Sequence, residues 1–160
     1  MSERDRIRAV ALDVDGVLTD GALYWGASGE ELKRISFRDV MGISLGRRAG
    51  LRFALISGEG GPLLERLGRK LQISDVYADC KDKAGAVRSF ASVAGLEPKQ
   101  ICYMGDDVND VPAMELVGLS AAPASAHSAA LAVAGIVMRN AGGNGAVREL
   151  VDYLIGDGSR

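Results

Sequence analysis

Several absences bound what this chain can be. It has one histidine and two cysteines in 160 residues. A lone histidine argues against a phosphotransfer mechanism built on histidines. The two cysteines, Cys80 and Cys102, lack metal-ligand spacing, and each lies near a predicted strand, where a small buried residue is expected. No basic tract is present and the net charge is −2, so the electrostatic footprint of a nucleic-acid binder is missing. No run approaches the ~20 apolar residues that span a bilayer, and MSERDRIRAV is charged where a signal peptide needs an apolar core. These features predict a cytoplasmic protein that uses neither membrane nor nucleic acid.

What is present suits one folded unit. The hydrophobic share of 48% and charged share of 25% are ordinary for a globular domain, and 160 residues can bury a sizeable core. The expectation is a single domain over residues 1–160. Short apolar runs alternate with helical segments, a pattern of βαβ units on a parallel sheet. The predicted strands are 8–14, 51–56, 75–79, 101–104, 117–122 and 134–138. Helices are expected around 40–49, 60–72, 82–94, 109–116, 126–133 and 145–155. The stretch GALYWGASGEELKRISF, about 21–37, breaks this rhythm and reads as a β-hairpin projecting between the first strand and the first helix. Tyr24 and Trp25 lie on it, either covering the domain's own edge or meeting another subunit.

Ligands gather at the carboxyl ends of strands in such a sheet, and the residues after these strands are polar. Asp13 and Asp15 follow the first strand, where Gly16 lets the chain bend so that both can reach one ligand. Asp106 follows the fourth. Acidic groups crowded at one sheet end repel one another, and a hard cation such as Mg²⁺, which prefers oxygen ligands, relieves the repulsion. Ser57 and the amide of Gly58 stand at a strand end just before a helix, where donors and the helix dipole favour an anion such as phosphate. Lys83, after the third strand, can place a positive charge on the same oxygens. Glu59, directly after that Ser-Gly, puts a carboxylate beside a site suited to negative charge.

Together DVDGVLTDG, ISG, the lysine Lys83 of KDK, and GDDVND resemble the four motifs of the haloacid dehalogenase superfamily of phosphatases. TDGALYWGASGEELKRISFRD, VGLSAAPASAH and GGNGAVREL resemble its small capless subfamily, which acts on phosphate esters of 2-keto-3-deoxy sugar acids with eight or nine carbons. The resemblance spans Ala9 to about Ile155. It implies a Rossmann-like, doubly wound α/β fold with a projecting hairpin. The 41 residues between Asp15 and Ser57, and the 22 between Lys83 and Asp106, leave no room for a cap domain.

The resemblance also implies roles. Asp13 would attack phosphorus to give an aspartyl-phosphate, and Asp15 would protonate the leaving sugar oxygen and then activate water. Mg²⁺ would sit on Asp13, Asp106 and the backbone carbonyl of Asp15. Ser57, Gly58 and Lys83 would hold the phosphoryl oxygens. Asp107 and Asp110 would support the metal site, Asp110 more directly. Glu59, Lys70 and Arg38 would read the sugar acid, with Glu59 contacting sugar hydroxyls or Lys70; the Glu59/Lys70 pair resembles the nine-carbon enzymes. Val40 stands where relatives usually carry glycine, which restricts the backbone beside Arg38. His127 is expected to pack at a helix start. An open site would be completed by neighbouring subunits, which implies a homotetramer joined near Tyr24 and Trp25. Two other classes compete: a non-catalytic oligomerisation module, and a phosphoryl-accepting receiver domain. The D-x-D-G pair after the first strand disfavours the receiver, and the intact set of Asp13, Asp15, Ser57, Lys83 and Asp106 disfavours an idle module.

Overall fold

The computed structural model describes residues 1–156. Six parallel strands form the main sheet: β1 (Ala9–Leu12), β4 (Arg52–Ile56), β5 (Asp75–Tyr77), β6 (Ile101–Met104), β7 (Leu119–Ala122) and β8 (Ile136–Val137), in the order β5-β4-β1-β6-β7-β8. The chain runs outward from β1 through β4 to β5. It then crosses back to β6 and runs outward the other way. The reversal opens a crevice at the carboxyl end of β1, where doubly wound sheets bind ligands.

Both faces of the sheet are covered, so its strands read as continuous apolar runs rather than alternating ones. Val10, Leu12, Phe53, Leu55, Cys102 and Met104 face one side. There they pack with α2 (Phe37–Arg48), α3 (Pro62–Leu71) and α7 (Ala146–Ile155), through Ile43, Leu64, Leu67, Val147 and Leu150. Ala9, Ala11, Ala54, Ile56, Ile101 and Tyr103 face the other, against Val87 and Phe90 of α4 (Lys83–Ala94) and Met114 of α5 (Val111–Leu116). Also on that side lies α6 (Ser128–Val133). The α2–α7 contact is close: a Cβ on Gly42 would lie 2.9 Å from the Arg148 backbone. A short α1 (Glu3–Arg6) precedes β1.

All six predicted strands are present, most of them shorter than the apolar runs suggested. The helix expected over 40–49 is α2, which starts at Phe37 because the Ser36 hydroxyl accepts from the Arg38 N–H and caps it there. The hairpin forms as expected: β2 (Tyr24–Trp25) pairs antiparallel with β3 (Glu31–Leu32). It is the inserted element between β1 and α2, and no separate cap is present among the described residues. No helix among them is long and apolar enough to cross a membrane.

Candidate active site

Loops after four strands converge at the carboxyl end of the sheet. Asp13 leaves β1 directly, its N–H bonded to the Met104 carbonyl of β6. Gly16, at φ +88°, turns the chain in a conformation that favours glycine, and a Cβ there would run into the Asp106 carboxylate. The turn thereby admits the Asp106 carboxylate beside Asp13.

Three carboxylates, from Asp13, Asp106 and Asp110, offer oxygens within 4.8 Å of one another. Lys83, at the first turn of α4, reaches into them, with Nζ 2.9 Å from Asp13 Oδ1 and 2.8 Å from Asp110 Oδ1. Burial works against the Lys83 charge, but Asp13 and Asp110 outweigh it and hold its pKa above the ordinary lysine value. Asp110 is saturated with donors. Its Oδ1 also accepts from the Tyr103 hydroxyl at 2.6 Å, and its Oδ2 from the N–H groups of Asp106 and Asp107 at 2.9 and 3.1 Å. Burial, then the neighbouring carboxylates, push the Tyr103 pKa well up and keep that hydroxyl a donor. Asp110 is thus an anchor that fixes Lys83 and the Asp106 loop.

Asp13 and Asp106 lack such compensation. Burial, followed by the charge of Asp110, pushes Asp13 up to about 6 despite Lys83. Burial, followed by hydrogen bonding and repulsion from Asp13, pushes Asp106 up to about 9. The two therefore share a proton near neutrality. An all-oxygen donor set with surplus negative charge suits a hard divalent cation, which would replace that proton.

Asp15 stands beside this cluster, its Oδ1 2.7 Å from Lys33 Nζ. Ser57 is buried at the end of β4, and its Oγ accepts from the Glu59 N–H at 3.1 Å. The loop carrying Ser57, Gly58 and Glu59 is clipped to the one after β5: the Cys80 N–H bonds to the Ser57 carbonyl and the Asp79 N–H to that of Glu59. Asp15 and Ser57 line a cavity of about 860 Å³ between the hairpin and α3. Lys33, Glu59, Arg66 and Lys70 line it too.

Not every expected residue arrives at the centre. Asp107 is exposed, and its carboxylate caps the turn after β6 by accepting from the Val108 N–H at 2.7 Å, apart from the acidic cluster. Arg38 is exposed at the start of α2, outside the cavity lining. Glu59 and Lys70 share the cavity, but among the described residues no ion pair joins them; Lys70 lies over the Phe37 ring, 5.4 Å from its centroid. His127 caps α6 through Nδ1, which accepts from the Ala129 N–H, and its own N–H bonds to the Asp106 carbonyl at 2.7 Å. Cys102 is buried in β6, and Cys80 is half-buried.

Three residues escaped sequence reasoning. Tyr103 reads as a core residue of an apolar strand, although its hydroxyl needs a buried partner. Asp39, in α2, accepts from the N–H groups of Gly145 and Arg148 and so caps α7, whose own N-cap is a glycine. Lys33 directly follows β3 on the return side of the hairpin, with no local signal of its partner 18 residues earlier.

The profile of the haloacid dehalogenase-like hydrolases matches residues 62–150. The chain is 41% identical over 155 residues to the 3-deoxy-D-manno-octulosonate 8-phosphate phosphatase KdsC of Escherichia coli (strain B / BL21-DE3), covering 97% of this chain and 82% of that protein. The crystal structure of the phosphatase of that name from Yersinia pestis matches with a TM-score of 0.92 at 41% identity, over 96% of this chain and 82% of the other. The one from Moraxella catarrhalis, in complex with a magnesium ion, a phosphate ion and KDO, matches with a TM-score of 0.92 at 29% identity, over 96% and 88%.

Proposed function

The chain belongs to the haloacid dehalogenase-like hydrolases, as a phosphatase among them, and from that premise we propose that it hydrolyses the phosphate monoester of a 2-keto-3-deoxy sugar acid. The observation that carries this reading is the meeting of Asp13, Asp106 and Asp110 around Lys83, next to a cavity that Asp15 and Ser57 line.

In this mechanism a carboxylate oxygen of Asp13 attacks phosphorus. The bond from phosphorus to the sugar oxygen breaks, its electron pair leaves on that oxygen, and Asp15 supplies the proton. Water then gives a proton back to Asp15 and attacks the aspartyl-phosphate, releasing inorganic phosphate and restoring Asp13. Ser57 and the Gly58 amide hold the phosphoryl oxygens, and Lys83, already bonded to Asp13, reaches the group that Asp13 carries. Asp110 keeps Lys83 in place. Asp13, Asp106 and the Asp15 carbonyl would hold Mg²⁺, whose charge when bound offsets that of the attacking and transferred groups. The magnesium in the Moraxella catarrhalis structure supports that choice of metal.

The names of the relatives support the eight-carbon 8-phosphate as substrate. Glu59 and Lys70 in the cavity lining favour a second reading, a nine-carbon 9-phosphate. The exposed apolar residues Tyr24, Trp25, Leu32 and Phe37 around the hairpin support assembly as a homotetramer, and the protein is read as cytoplasmic. The test is kcat/KM for both acid phosphates with Mg²⁺, using simple hexose phosphates as controls. One of the two acid esters should be preferred well above the controls. Equal, poor turnover of all of them would overturn the substrate class.

A further inference from the structure

We propose that Lys33, on the hairpin's return side, is a positioning residue for Asp15: it fixes the carboxylate that exchanges a proton with the sugar oxygen. The proposal rests on the phosphatase reading above. Lys33 Nζ donates to Asp15 Oδ1 at 2.7 Å, and among the described residues this is the one hydrogen bond that the Asp15 carboxylate makes. Its Oδ2 is left free for proton exchange. Asp15 lies in a turn rather than in the sheet, so its backbone alone does not dictate where its oxygens sit.

Exposed ion pairs are common and generally weak. This one differs in its setting. The lysine side chain is only 19% exposed, and both partners line the same cavity. The backbone that delivers Lys33 is itself tied to the loop that carries Asp15. The next residue, Arg34, donates to the Gly143 carbonyl at 2.7 Å, and the Gly143 N–H bonds to the Val17 carbonyl at 3.0 Å. Ile35 then makes a β-bridge with Thr19. The Thr19 hydroxyl accepts from the N–H groups of Gly16 and Gly21, which closes the loop on itself. Lys33 is thus held by a frame built on the Asp15 loop, and that frame presents its charge to one oxygen of the carboxylate. A reacting group placed beforehand in this way does not have to be ordered during the reaction. The hairpin is therefore part of the proton-transfer machinery as well as a projecting surface.

The test compares wild type with Lys33→Met, which keeps the apolar stem, and Lys33→Arg, which keeps the charge. Each is assayed with Mg²⁺ on the acid phosphates and on p-nitrophenyl phosphate, alongside melting temperature. For Lys33→Met the expected result is a kcat lower by about 10- to 100-fold. KM should change by less than about 3-fold, because the lost interaction orients a group instead of binding the ester. Melting should be unchanged, and Lys33→Arg should recover most of kcat. Unchanged kcat in Lys33→Met, or a loss confined to KM, would overturn the proposal. A wild type inactive on every ester would instead count against the phosphatase reading. The Lys33 proposal is then decided by the crystal structure of Lys33→Met: a reoriented Asp15 carboxylate supports it and an unmoved one overturns it.

Discussion

Replacing Asp110 with asparagine tests how the site is held together. Asp110 is completely buried and accepts four hydrogen bonds: from Lys83 and Tyr103 on Oδ1, and from the Asp106 and Asp107 N–H groups on Oδ2. An amide has one acceptor end and one donor end. In one orientation its NH₂ faces the Lys83 ammonium and the Tyr103 hydroxyl; in the other it faces two backbone N–H groups. Either way a pair of donors loses its acceptor, and Lys83 loses one of its two anionic partners. Leaving a pair of donors unpaired costs about 1–3 kcal/mol for each, but Lys83 keeps Asp13 as a partner and the lost charge relieves repulsion on Asp13 and Asp106, so the net loss is about 2–4 kcal/mol. Against a total stability of about 5–15 kcal/mol for an ordinary domain, that is a large share. Urea unfolding followed by circular dichroism, with EDTA present, should show the loss as a lower midpoint at unchanged slope. Tyr103→Phe is the internal comparison: it removes one donor of four and should cost about 1 kcal/mol. An Asp110→Asn protein within about 1 kcal/mol of wild type would refute the view that this carboxylate is the anchor of the centre.

Other consequences follow from the same geometry. Gly16→Ala would force a Cβ onto Asp106 Oδ2 at a φ of +88°, and phosphate release should fall by at least about 100-fold; a fully active variant would contradict the close approach. Asp39→Ala removes the acceptor that caps α7, so chemical denaturation should register a loss of about 1–3 kcal/mol, and no loss would mean that the glycine-capped helix end needs no partner. Asp13 and Asp106 have folded pKa values raised to about 6 and about 9. Without metal the folded state therefore holds protons that the unfolded chain releases near pH 4, and this contribution to stability is lost as pH rises from there through about 9. Because Mg²⁺ takes the place of those protons, the melting-temperature gain on adding Mg²⁺ over EDTA should be larger at about pH 8.5 than at about pH 5.5; a gain independent of pH would count against a site built on these two carboxylates.

The sequence was informative where chemistry and local pattern coincide. Asp13, Lys83, Asp106 and Asp110 each follow an apolar strand by a few residues, and all strands of a parallel sheet end on the same side, so their convergence could be anticipated. The hairpin was legible from its turn glycines. Other features depend on distance. Lys33 meets Asp15 only through the return path of the hairpin, and Asp39 caps a helix that begins more than 100 residues later. Neither pairing leaves a local trace. Glu59 and Lys70 were paired only through the family resemblance, with sugar hydroxyls as the other partner for Glu59; both line the cavity, and the lysine settles over Phe37 of another helix. The early start of α2 at Phe37 was hidden because that residue falls within the 21–37 stretch read as the hairpin, while its cap, Ser36, is a common loop residue.

In the proposed mechanism Asp13 is the nucleophile of a magnesium-dependent phosphatase. Its most direct test is phosphate release from the acid phosphates by wild type and Asp13→Asn, with and without Mg²⁺, after confirming equal folding and oligomeric state. Wild type should release phosphate only with Mg²⁺, and Asp13→Asn none above background. Unimpaired turnover by the asparagine variant would contradict it.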